Sequence, residues 1–144
     1  MPKIILVGVD GSASSRRAAT VAAELAASTG ATLHVLTAVD PRVQGAQSEP
    51  GGQYGDTLVT TPGEAAEVIA AEVAGSLTGV VPHIESSPIH GKPADALVEE
   101  AKRLGADLIV VGNRRVQGIG RILGSVATDV AHHAPCDVYI VKTV

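Results

Sequence analysis

Short runs of aliphatic and β-branched residues alternate with Ala-rich helical segments along the whole chain, and few folds satisfy that alternation. Ile4-Ile5-Leu6-Val7-Gly8-Val9 is continuously apolar, as a strand buried on both faces must be. Asp10-Gly11-Ser12 ends it. Ser14 to Ser28 then reads as a helix, with Ala18, Val21, Ala22 and Leu25 at helical spacing and Gly30 as its stop. A second strand follows over Thr32 to Val39. The pattern then predicts a helix from Gly63 to about Leu77 and a third strand over about His83 to Pro88. Pro93 can start the next helix, which passes Ala94, Leu97, Val98 and Ala101 to Leu104 before Gly105 ends it. Asp107 to Gly112 reads as the fourth strand, about Ser125 to His133 as the last helix, and Asp137 to Val141 as the final strand. A βαβαβαβαβ order implies a parallel sheet with helices on both faces. No internal repeat or boundary interrupts it, so one domain is expected over 1–144.

Aromatic residues are limited to two Tyr, so the core must come from Val, Ile, Leu and Ala. The chain also lacks the aromatic platforms on which single-stranded nucleic acid stacks. Its formal net charge of -4 leaves no basic excess for a long phosphate backbone, so no nucleic-acid partner is expected. A single cysteine, Cys136, allows no intrachain disulfide and fits a reducing cytoplasm. The first apolar run is too short for a signal peptide and meets Asp10 at once, and no stretch is long enough for a membrane span. Asp40 to Pro62 is rich in Pro, Gly and polar residues and reads as one long internal loop, of the kind that often serves as a lid.

In open α/β sheets, ligands bind beyond the carboxyl ends of the strands, where strand order reverses. Two segments fall at such ends: Val9-Asp10-Gly11-Ser12, and the Gly-rich stretch Gly112-Asn113-Arg114-Arg115 through Gly118, Gly120 and Arg121 to Gly124-Ser125. Glycines let backbone approach phosphate, and Gly124-Ser125 stands at a helix start, where free N–H groups and the dipole favour an anion. No Gly-Lys-Ser/Thr follows, so this is no Walker loop. An ordinary turn with Ser125 as N-cap is the competing reading. Asp10 could accept from a ribose hydroxyl or an adenine edge, or simply cap the first helix.

Other residues have plainer accounts. His132 and His133 are adjacent on a helix and point about 100° apart, which suits a helix terminus better than a metal site with Cys136. Cys136 reads as a small core residue. Asp95, Glu99, Glu100, Lys102 and Arg103 form the solvated side of a helix. Ser12, Ser14 and Ser15 read as capping residues, and His90 as a loop residue after the third strand.

Taken together, Val7-Gly8-Val9-Asp10-Gly11-Ser12, Gly91-Lys92-Pro93, Asp107-Leu108-Ile109-Val110-Val111-Gly112-Asn113-Arg114, Gly124-Ser125-Val126 and His133-Ala134-Pro135-Cys136-Asp137-Val138 resemble the universal stress protein family. The resemblance covers essentially the whole chain. It implies a single-domain, Rossmann-like, doubly wound five-stranded parallel sheet with strand order 3-2-1-4-5. The nucleotide-binding branch of that family carries G-x2-G-x9-G-[ST]. Gly112 matches its first glycine, and Gly124 with Ser125 its closing pair. Arg115 stands where the second glycine would, and the interval to Gly124 is one residue shorter. Arg115 would either obstruct a phosphate or pair with it.

The resemblance further implies an adenine nucleotide (ATP, ADP, AMP or cyclic AMP) as ligand, with Mg²⁺ riding on its phosphates. Gly8, Val9 and Asp10 would meet the ribose or adenine. The backbone at Ala38 and Val39 would face the base. Gly112, Asn113, Arg114 and Arg115 would run along ribose and phosphates, and Gly124, Ser125 and Val126 would bind phosphate oxygens. A homodimer through the last strand, Cys136 to Val141, is the expected assembly. Three functions stay open at this point. One is a non-catalytic nucleotide sensor. Another is a slow phosphohydrolase using Asp10 or His90. The third is a regulatory homodimer without nucleotide.

Overall fold

The computed structural model describes residues 2–40, 61–113 and 124–143. Within them lie β1 (Ile4–Gly8), α1 (Ala13–Thr29), β2 (Thr32–Val39), α2 (Pro62–Leu77), β3 (Ile84–His90), α3 (Pro93–Leu104), β4 (Leu108–Gly112), α4 (Ser125–His133) and β5 (Asp137–Val141). Residues 41–60 of the expected loop and Arg114, Arg115, Gly118, Gly120 and Arg121 lie outside the described residues.

The five strands form one parallel sheet in the order β3-β2-β1-β4-β5, as expected. The period of two along each strand splits the core into two layers. Ile5, Val7, Leu33, Val35 and Val110 face α1 and α2. Leu6, Leu36, Ile109 and Val111 face α3 and α4. With no large aromatics to fill space, α1 turns a row of alanines (Ala18, Ala19, Ala22, Ala23 and Ala26) onto the sheet, all fully buried. Such small side chains let helix and sheet backbones pack closely.

The chain leaves β1 toward α1 on one face and leaves β4 toward α4 on the other. The two carboxyl ends, neighbours in the sheet, therefore diverge and open a crevice. Positive-φ glycines end the helices on either side of it: Gly30 at φ 75° after α1 and Gly105 at φ 66° after α3.

Several boundaries differ from the sequence expectation. Pro62 opens α2 rather than closing a loop, with Thr61 as its cap. β3 runs two residues further than its composition suggests, so His90 is a strand residue rather than a loop residue. Pro88 does not break that strand, because β3 is the sheet edge and pairs on one side only, with Thr37 opposite Pro88. β5 is the other edge, with Tyr139 45% exposed. Cys136 lies just outside it, half-buried rather than at the start of a buried strand. Glu100 is the least solvated of the α3 charges. Its carboxylate accepts from Arg103, which holds its pKa below the usual range.

Candidate functional site

A cleft of about 250 Å³ opens at the divergence of β1 and β4. Gly8, Val9 and Asp10 from the end of β1, Ala38 from β2, Gly112 from β4, and Ser125 and Val126 from α4 all line it. Seven of the expected site residues thus meet in one place although they span most of the chain. Val39, Asn113 and Gly124 do not line it. Val39 points to the opposite face, as alternation requires, and its carbonyl oxygen accepts the Gly91 N–H at 3.0 Å. Asn113 turns its side-chain oxygen to Thr143, accepting the Thr143 N–H at 2.7 Å. Gly124 sits behind Ser125 as the N-cap of α4. Arg114 and Arg115 lie outside the described residues.

The walls carry residues the sequence reading did not single out. Leu36, Ile89, Pro93, Leu97 and Val111 form an apolar slot. Their signal was available: they sit at the carboxyl ends of strands or the first turns of α3, in phase with Ala38. Such positions look like ordinary core until the crevice is known. Ser14 and Ser15 also line the cleft.

One corner is set by the turn from β1 into α1. Ser12, not Asp10, is the N-cap of α1: its hydroxyl oxygen accepts the Ser15 N–H at 3.1 Å. Asp10 Oδ1 instead accepts the Ser12 N–H at 2.9 Å, and the Asp10 N–H donates to Ser15 Oγ at 3.1 Å. Ser15 in turn donates its hydroxyl proton to the Ser12 carbonyl oxygen. Gly11, at φ 87°, makes this tight turn possible. Asp10 is thereby held in the turn through both its N–H and its carboxylate, and it lines the cleft.

The opposite corner is the first turn of α4. Its N-cap is Gly124, not Ser125, so no side chain among the described residues caps it, and no acid stands in its first turn. The other helices differ: Ser12 caps α1, Thr61 and Glu64 form a capping box on α2, and Asp95 stands in the first turn of α3. The start of α4, from which Ser125 and Val126 line the cleft, thus brings the positive end of a helix dipole to the site. The cleft therefore combines acceptors from the β1–α1 turn, an apolar slot and the start of α4.

His90 is exposed and does not border the cleft. His133 Nδ1 lies 2.9 Å from the Asp129 carbonyl oxygen, one turn back on α4. No described helix is long and apolar enough to cross a membrane.

Fold and site together define a doubly wound α/β domain with a cleft at its topological switch point. Residues 1–142 match the Universal stress protein family, and the chain belongs to it. A universal stress protein of Thermus aquaticus is 38% identical over 143 residues, covering 99% of this chain and 100% of that one. One from Mycobacterium tuberculosis is 37% identical over 142 residues, covering 98% and 97%. A solved universal stress protein in complex with cAMP is 36% identical, covers 99% of this chain and 98% of its own, and superposes with a TM-score of 0.75.

Proposed function

We propose that the cleft binds an adenine nucleotide and that the chain, a single universal stress protein domain over 1–144, acts in the stress response as a nucleotide sensor or regulator. The observation that carries this reading is the polarity of the cleft. Acceptors at Asp10, an apolar slot along Leu36, Ala38, Leu97 and Val111, and a start of α4 that no described side chain caps offer partners for a ribose, a base and a phosphate within one cleft. The relative solved with cAMP supports an adenine ligand.

In this reading Gly8, Val9 and Asp10 meet the ribose or adenine, and the strand end at Ala38 and Val39 faces the base. Gly112, Asn113, Arg114 and Arg115 follow the ribose and phosphates, in a variant of the glycine motif. Gly124, Ser125 and Val126 take phosphate oxygens. With ATP, Mg²⁺ would ride on the phosphates, held by few protein groups. A homodimer through β5 and a cytoplasmic location belong to the same proposal. Binding is favoured over hydrolysis because no His among the described residues borders the cleft, and Asp10 Oδ1 is engaged by the Ser12 N–H.

Calorimetry with ATP, ADP, AMP and cyclic AMP tests it. Heat of binding from at least one, weakened in Asp10→Ala and in Ser125→Ala, is the expected result. Silence from all four at high protein concentration overturns it. An Arg115→Gly variant assigns Arg115: gained ATP affinity marks an obstruction, lost affinity a phosphate ligand.

A further inference from the structure

Three residues remote in sequence share two hydroxyl protons behind the wall of the cleft. Ser14 stands in the first turn of α1, Asn113 directly after β4, and Thr143 two residues after β5. Asn113 Oδ1 accepts the Thr143 N–H at 2.7 Å and lies 3.1 Å from Thr143 Oγ1. Ser14 Oγ is hydrogen-bonded to the same Thr143 hydroxyl. An amide oxygen only accepts, so the Thr143 hydroxyl must donate to Asn113. That hydroxyl has one proton, so the Ser14 hydroxyl must donate to Thr143. The proton of Ser14 is therefore committed to Thr143, and what Ser14 can still offer a ligand in the cleft it lines is a lone pair.

We propose that Ser14 is a specificity-determining acceptor of the cleft, locked in that role by Thr143, and that it selects a ligand bringing a hydroxyl donor to the Asp10 corner. The sugar hydroxyls of a nucleotide are such donors, so the inference rests on the nucleotide reading and deepens it. The neighbouring groups agree. Ser15 has already given its proton to the Ser12 carbonyl oxygen, and Asp10 presents a carboxylate. A phosphate oxygen, itself only an acceptor, gains no side-chain proton from Ser14 or Ser15 and is better placed at the start of α4. The relay thus sets the direction in which a nucleotide lies: sugar toward α1, phosphate toward α4. Thr143 acts through Ser14 and is a positioning residue, with no contact to the ligand required.

The test compares AMP, 2′-deoxyAMP and 3′-deoxyAMP by calorimetry on the wild-type chain, Thr143→Ser and Thr143→Val. The wild type should prefer AMP over at least one deoxy analogue by roughly tenfold, the scale of one hydrogen bond. Thr143→Ser, which keeps the hydroxyl, should retain that preference. Thr143→Val frees the Ser14 proton to turn toward the cleft, and the preference should fall toward unity. Should Thr143→Val not fold, Ser14→Ala reads the same loss. Equal affinity of the wild type for all three ligands, an undiminished preference in Thr143→Val, or a Thr143→Ser variant that behaves like Thr143→Val overturns the proposal. A second arm needs no ligand. Melting-temperature losses of Ser14→Ala and Thr143→Val should fail to add in the double variant, and strict additivity overturns the relay. A wild type that binds none of the three overturns the selective role of Ser14, whereas the nucleotide reading falls only if ATP, ADP and cyclic AMP are silent as well, and the additivity arm decides the relay by itself.

Discussion

Gly8 and Leu97 meet across the floor of the cleft so closely that a Cβ on Gly8 would stand 2.8 Å from Leu97 Cδ1. Gly8 is in ordinary strand conformation, so its lack of a side chain serves space rather than backbone freedom. Leu97 is almost fully buried and lines the cleft. Gly8→Ala should therefore cost about 1–3 kcal/mol by overpacking and also narrow the ligand slot. Chemical denaturation and nucleotide calorimetry on one preparation read both effects. A variant with wild-type stability and wild-type binding would show that Leu97 yields freely.

Thr37, in β2, is buried at 4% exposure, and among the described residues its hydroxyl has no hydrogen-bond partner. Thr37→Val keeps the shape and removes the unpaired group. The expected change is a stabilisation of about 1 kcal/mol, read as a raised denaturation midpoint at unchanged slope. A destabilised variant would mean that the hydroxyl is satisfied in solution.

Thr61 and Glu64 close a reciprocal capping box on α2: Glu64 N–H donates to Thr61 Oγ1 at 3.0 Å, and Thr61 N–H to Glu64 Oε1 at 2.9 Å. Thr61→Ala should cost about 1 kcal/mol. Further along the same helix, Gly75 is exposed with open space where a Cβ would go. Gly75→Ala should stabilise by about 0.5–1 kcal/mol. Thermal melts of the two variants should shift in opposite directions.

Asp107 accepts the Lys3 N–H at 2.8 Å and the Ile4 N–H at 3.0 Å, tying the start of β1 to β4. These bonds to the carboxylate hold its pKa below the usual aspartate range. The unfolded chain then takes up the proton first as pH falls. The stabilisation is complete above about pH 4 and is lost as pH drops through the depressed folded value. Asp107→Asn should lower stability at neutral pH by a small amount, since the group is exposed, and the gap to wild type should close in acid. A gap independent of pH down to 2 would assign the effect to something other than this charge.

The strands and helices were legible in the sequence because their signals are local. Continuous apolar runs marked β1 and β4, alanine spacing marked α1, and Gly30 and Gly105 marked helix ends. The errors arose where a neighbour decided. β3 extends to His90 because β2 offers partners up to Val39, which no property of Ile89 or His90 announces. Ser12 caps α1 as its residue type suggested, whereas the alternative of an Asp10 cap fails because the turn through Gly11 sends the Asp10 carboxylate back onto the Ser12 N–H. Asn113 was expected at the site, but it does not line the cleft and its side-chain oxygen serves Thr143, thirty residues on.

By itself, the sequence determined a parallel α/β sheet, its strand order through family resemblance, and the strand ends where a ligand site would fall. Periodicity and composition act within a few residues, and the switch-point rule converts their order into a location. Only the tertiary structure decided which of Ala38 and Val39 faces the cleft, how close Leu97 comes to Gly8, and which way the Ser14 proton points. Those outcomes depend on contacts between residues as far apart as Ser14 and Thr143. A hydrogen-bond direction is settled by all its partners at once, and the fold alone assembles them.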